Sequence, residues 1–232
     1  RTSNGVSAEF VIQTFSAGFI PSGVDIEYYY AFVDSDGRTV ETDRFNIEYL
    51  DTRYDWERYD AGSFEILWHD RPRALVESVA DEVNQRLLPV HSMFGVENLD
   101  KMKAVLTNGS RESIRTFPRV SQTASDSQLY SGFAFGEYDV FLLTGLGVDG
   151  MIHEMTHLLF DEAVNSPRAK VPAWVNEGLA MYFERGTGNR ASIVSSAARS
   201  GSLFRLHNMG SVPGKPPDVR VYYAQSWSLV NF

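Results

Sequence analysis

The hydrophobic period of this chain changes once, at His69-Asp70-Arg71-Pro72, and that change limits the folds open to it. Before it, polar and apolar residues alternate in runs rich in β-branched and aromatic side chains: Ala8-Glu9-Phe10-Val11-Ile12, Val24-Asp25-Ile26-Glu27-Tyr28-Tyr29-Tyr30, and two further runs over 38–50 and 62–68. Successive side chains of a strand point to opposite faces, so each run predicts a half-buried strand. Turn clusters at Pro21-Ser22-Gly23 and Asp34-Ser35-Asp36-Gly37 separate them. After the change, Leu75, Val79, Val83 and Leu87 recur every fourth residue, the spacing of one face of a helix ending near Gly95. The expectation is an α+β chain in two parts: a β-rich region over 1–70, with the strand spacing of part of a β-sandwich, and a second domain over 71–232.

In the second part, 101–107 reads as a strand, 110–117 as a short helix and 130–144 as a hairpin turning near Gly136, with a polar loop over 121–128. Helices are expected over 148–163, 172–184 and 190–199. A last helix is expected to start near Tyr222, after the loop Val212-Pro213-Gly214-Lys215-Pro216-Pro217.

With 232 residues the chain can bury a core without staples. The 21 basic against 30 acidic residues give a net charge of −9, which argues against a nucleic-acid partner because phosphate contacts need a basic face. The absence of cysteine excludes a disulfide scaffold, thiolate metal sites and thiol catalysis. No run approaches the roughly 18 apolar residues that a membrane-spanning helix needs. The chain opens on Arg1-Thr2-Ser3 and stops in the apolar Val230-Asn231-Phe232, so a processed fragment, truncated at its C-terminus, is expected.

The chemistry concentrates in His153-Glu154-Met155-Thr156-His157. On a helix, four steps of about 100° bring the two imidazoles to within roughly 40° of each other, one turn apart, so both can face one metal ion. Glu154 projects from an adjacent face, where it can reach a bound water rather than the metal. Two neutral nitrogen ligands, a carboxylate base and room for a third ligand are what zinc hydrolysis requires. With five histidines in the chain, about 0.007 chance matches to this pattern are expected, so accident is a poor explanation.

For the third ligand, the metzincin extension fails, because its glycine and histidine positions hold Phe160 and Ala163. His69, His91 and His207 lie in no ligand motif. Glu177 is the strong candidate, 20 residues beyond His157 within Pro172-Ala173-Trp174-Val175-Asn176-Glu177-Gly178-Leu179-Ala180-Met181-Tyr182-Phe183-Glu184.

Together these two motifs resemble those of the gluzincins, and within them the peptidase MA-like family, over roughly residues 66–232. The resemblance implies a zincin-type catalytic domain with a thermolysin-like core, a mixed sheet and an active-site helix. It implies zinc held by His153, His157 and Glu177, Glu154 as general base, and a polypeptide substrate. Tyr222-Tyr223-Ala224-Gln225-Ser226-Trp227 looks like the start of the family's helix whose tyrosine faces the active site. By that likeness Tyr223, or failing it Tyr222, donates a hydrogen bond to the oxyanion.

Thermolysin has an aspartate four residues after its glutamate ligand, where it orients a ligand histidine; here that position is Met181, leaving Asp161 or Glu184 for the task. An exposed position is the preferred reading of Asp161. The N-terminal strands resemble an immunoglobulin-like region that precedes the peptidase unit in some bacterial extracytoplasmic relatives, which points to a secreted or envelope protein. Related peptidases also suggest substrate pairing along 130–136. The competing readings are an envelope binding or scaffolding module with a structural or silent zinc site, and hydrolysis of something other than peptides by the same zinc geometry.

Overall fold

The structure is a computed structural model that describes residues 9–14, 18–96, 101–118, 131–166, 170–186 and 188–232. Near the N-terminus, β1 (Asp25–Tyr28) pairs antiparallel with β4 (Phe45–Glu48), and β2 (Ala31–Val33) with β3 (Thr39–Glu41). They form two stretches of one long hairpin, closed at its tip by Asp34, whose Oδ1 accepts from the backbone N–H groups of Asp36 and Arg38. The strand alternation is real, but it builds a two-stranded ribbon rather than the packed sheets of a sandwich. Phe32, Val33, Val40 and Ile47 stay exposed, and among the described residues no second sheet covers them. Residues 9–12, the described part of the first apolar run, form no strand.

The central sheet has five strands: β5 (Glu57–Asp60), β6 (Phe64–Trp68), β7 (Met102–Thr107), β8 (Gly132–Phe135) and β9 (Val140–Thr144), in the order β5-β6-β7-β9-β8. β6, β7 and β9 run parallel; β5 and β8 are antiparallel edges. The class is therefore α+β with a mixed sheet, as expected. The pairing of β6 with β7 crosses residue 70, so the change of period there is an internal strand-to-helix junction of this sheet. It marks the crossover through α1 (Arg73–Phe94) that two parallel strands require.

Both faces of the sheet are covered. One face carries Phe64, Ile66, Trp68, Met102, Ala104, Leu106, Phe141 and Leu143. On it lie α1, through Val76, Ala80, Val83, Leu87 and Val90, and α3 (Val148–Val164), through Met151, Ile152, Met155, Leu158 and Leu159. The buried stripe of α1 starts one residue later than the period-four reading, leaving Leu75 exposed. On the other face, Leu67, Val105, Val140 and Leu142 meet Val24, at the base of the ribbon, and Phe117, just after α2 (Ser110–Thr116). Lys103 pins that base: its Nζ lies 2.7 Å from the Gly23 carbonyl, 2.8 Å from Glu48 and 3.0 Å from Asp25.

Three more helices, α4 (Ala173–Phe183), α5 (Arg190–Ser200) and α6 (Pro216–Asn231), follow the expected order. The last starts six residues before Tyr222, because proline at the first helical turn gives up no hydrogen bond and its fixed φ suits the helix. The polar loop expected over 121–128 lies outside the described residues.

Buried His69, just after β6, sits in an ion cluster, with Nδ1 2.8 Å from the exposed Asp70 and Nε2 2.8 Å from Glu112, under the stacked ring of Tyr54. Burial alone would pull its pKa down; the hydrogen bonds and charges of Glu112 and Asp70 outweigh that and raise it above the ordinary histidine value. A raised folded-state pKa stabilises the fold fully below about pH 6.5, the unfolded value, and that contribution fades as pH rises through the folded value. The prediction is that a His69→Asn variant is most destabilised relative to the parent at acidic pH and that the gap narrows toward alkaline pH in urea titrations. A gap that does not change with pH contradicts the ion cluster.

Candidate metal centre

Helical spacing on α3 puts His153 and His157 one turn apart, with ring centroids separated by 4.8 Å. α4 packs against α3 and turns Glu177 toward both rings: its Oε2 lies 3.5 Å from His153 Nε2 and 3.6 Å from His157 Nε2. Candidate ligand atoms of the three residues all lie within 4.8 Å of one another.

The far nitrogens of the rings are engaged. His153 Nδ1 lies 2.6 Å from Glu184 Oε1, and His157 Nδ1 lies 2.8 Å from Asn176 Oδ1. Both partners are acceptors, so each ring donates through Nδ1–H, which turns its Nε2 toward Glu177. Glu184 is held in turn by an ion pair with buried Arg190, whose Nη1 also donates to the Met181 carbonyl at 3.0 Å. The Met181 position, where thermolysin places its orienting aspartate, is thus bypassed, and Glu184 makes the contact from the end of α4. Asp161 reaches neither histidine and lies exposed at one end of the cleft. Asn176 is a partner that pattern reading missed; the signal was a lone amide in an apolar helix, next to the candidate ligand.

Two close contacts fix the frame. Gly178 sits where a Cβ would lie 2.6 Å from the Ser226 carbonyl oxygen and 2.6 Å from Val230 Cγ2, so α4 and α6 meet almost backbone to backbone. That approach brings Tyr223 to the cleft, where it lines one hollow together with Glu177. Tyr222 is fully buried, with its hydroxyl donating to the Met209 carbonyl at 2.9 Å. Burial, with the charge of Glu177, pushes its phenol up to about 12. On the other side, a Cβ on Gly132 of β8 would fall 2.4 Å from Glu154 Oε1, so the edge strand closes directly on that carboxylate. Glu154 is buried yet stands outside the ligand cluster.

The cleft comprises two hollows of roughly 300 and 200 Å³, each bordered by His153, Glu154 and Tyr223. Its electrostatics call for a cation. Glu177 Oε2 is buried without a hydrogen-bond partner. Burial disfavours the Glu177 charge, but its contact with His153, the charges of both histidines and the nearby Tyr223 hydroxyl together hold it below the usual carboxylate value. Burial also opposes charge on His153, yet Glu177, Glu184 and Glu154 raise it to about 10, while burial and its charged neighbour His153 keep His157 low. A lone proton on His153 thus stands where the donors would suit a metal. Two imidazole nitrogens and one carboxylate oxygen, the latter otherwise orphaned, fit zinc. His69, His91 and His207 lie elsewhere: in the ion cluster, on the Val96 carbonyl and on an exposed turn.

Two substitutions test this frame. Glu184→Gln removes the charge that orients His153 and is expected to weaken zinc affinity about 10- to 100-fold in chelator competition. Gly178→Ala is expected to lower stability by about 1–3 kcal/mol in chemical denaturation, because the added methyl has backbone on one side and Val230 on the other. Wild-type behaviour of either would contradict the contacts described.

Residues 132–232 match the family model of the Peptidase MA superfamily, a span that begins at β8 and carries the whole His153, His157 and Glu177 cluster. No curated protein matches the chain. Family match and donor geometry agree, and the segment from residue 132 to residue 232 is similar to the Peptidase MA superfamily.

Proposed function

We propose that this chain is a zinc-dependent peptidase that hydrolyses peptide bonds with Glu154 as general base. The superfamily brings a metallopeptidase-type function and polypeptide substrates. The observation that carries the finer reading is the orphaned Glu177 oxygen facing two imidazole nitrogens, with a buried carboxylate, Glu154, beside the cluster but not in it.

Zinc held by His153, His157 and Glu177 would supply Lewis acidity to a substrate carbonyl and acidify a water. The rest falls to the chain. Burial first, then the charges of Glu177 and Glu184, lift the Glu154 carboxyl to about 7, against the opposing pull of His153. A carboxyl near neutrality can take a proton from the attacking water and return it to the leaving amine. Tyr223, on the opposite wall, has a hydroxyl with which to hydrogen-bond the oxygen that gains charge in the transition state. β8, last in the sheet order and pressed against Glu154, is the element along which an extended substrate would pair.

A structural zinc site closes its sphere with four protein ligands. Three donors among the described residues and a buried Glu154 outside the cluster favour an open site over a structural or silent one. Among the described residues no helix is long and apolar enough to cross a membrane. An extracytoplasmic location belongs to the proposal through the N-terminal sequence resemblance alone; a ribbon in place of a sandwich adds nothing to it.

Glu154→Gln is expected to keep one zinc per chain, by elemental analysis, and to lose about 10²- to 10⁴-fold in hydrolysis of a peptide library. Loss of zinc from this variant would make Glu154 a ligand and overturn the assignment.

A further inference from the structure

Asp161 follows His157 by one helical turn and lines the smaller hollow of the cleft, with Ala134, Asn176 and Tyr223. The end of the edge strand closes on it, since a Cβ on Gly136 would lie 2.8 Å from its Oδ2. The other carboxylates of the cleft are accounted for. Asp149 pairs with Arg86 at 2.6 Å and accepts from the backbone N–H groups of Arg185 and Gly186. Glu184 holds His153 and Arg190, Glu177 faces the two imidazoles, and Glu154 has its place in the reaction. Asp161 makes no side-chain hydrogen bond or ion pair among the described residues, and partial burial with no cation to offset it lifts its carboxyl above the usual value. Asp149 and Gly150 line the larger hollow, so Asp161 marks one end of the cleft and leaves the other without an unpaired charge.

We propose that Asp161 sets substrate preference, selecting a positive charge at its end of the cleft, either a lysine or arginine side chain or a free amino terminus. An unpaired carboxylate against a substrate groove gains a partner only when a cation is bound, which makes the interaction a discriminating one. The chain's net charge of −9 draws the same class of ligand toward the surface. The inference rests on the peptidase reading for the polypeptide nature of the ligand.

The test is a binding measurement on zinc-loaded Glu154→Gln protein, with and without Asp161→Asn. The probes are end-blocked fluorescent peptides in which one lysine is walked through the positions of a norleucine reference, plus that reference with a free amino terminus. One lysine position, or the free terminus, is expected to bind about fivefold tighter than the blocked reference, and Asp161→Asn is expected to erase the gain while leaving the reference unchanged. A gain at a lysine position assigns a side chain; a gain only from the free terminus assigns an amine. No gain from any cation, or a gain that survives Asp161→Asn, overturns the proposal. Hydrolysis of the same peptides by the zinc-loaded parent separates the two readings. Charge preference without hydrolysis keeps Asp161 and refutes the peptidase; hydrolysis without charge preference does the reverse.

Discussion

A buried carboxylate oxygen with nothing to hydrogen-bond it is the constraint around which this site is organised. Glu177 Oε2 faces two imidazole nitrogens at 3.5 and 3.6 Å, and among the described residues it makes no well-formed hydrogen bond. Holding a carboxylate charge away from water costs several kcal/mol unless it is well paired, a cost that a cation in this cluster would offset. The surrounding groups are arranged to that end. Glu184 and Asn176 take the Nδ1–H of each histidine, which turns both Nε2 atoms to the side of Glu177.

Holding three side chains to this geometry requires helices that do not shift, and the molecule supplies that rigidity away from the site. α3 is wedged onto the sheet by Met151, Ile152, Met155 and Leu158, residues interleaved with the two histidines. Arg86, on α1, ties the other two helices together: it pairs with Asp149 at the start of α3 and donates to the Phe183 carbonyl at the end of α4. Gly178 lets α6 approach closely enough for Tyr223 to reach Glu177. The same wedge that orients the two histidines buries Glu154, and that burial brings its carboxyl close to neutrality.

What could be read from the sequence was what a single element encodes. The helical spacing of His153 and His157 is local, and so is the amphipathic pattern that marks the helices carrying them and Glu177. Pairing between distant segments is not written in periodicity. The alternation over 24–50 fits a sandwich strand and a hairpin ribbon equally, and only the absence of a covering layer among the described residues separates them. Phe64–Trp68 alternates like its N-terminal neighbours, yet its partner is Met102–Thr107, across the helix that begins at Arg73. Arg190 and Asn176 were invisible for the same reason: each acts on a residue that is near in space through the packing of helices. Of the two residues considered for orienting His153, geometry selects Glu184, because its carboxylate at the end of α4 lies 2.6 Å from the ring while Asp161 forms no hydrogen bond with it.

The measurement that bears most directly on the account is zinc X-ray absorption spectroscopy of the metal-loaded chain, with metal content determined on the same sample. The account predicts one zinc per chain in a shell of nitrogen and oxygen donors at about 2.0–2.2 Å, with the outer-shell scattering of two imidazoles. A chain that retains no zinc, or a shell with fewer than two imidazoles, would contradict the assignment of His153, His157 and Glu177 to one metal.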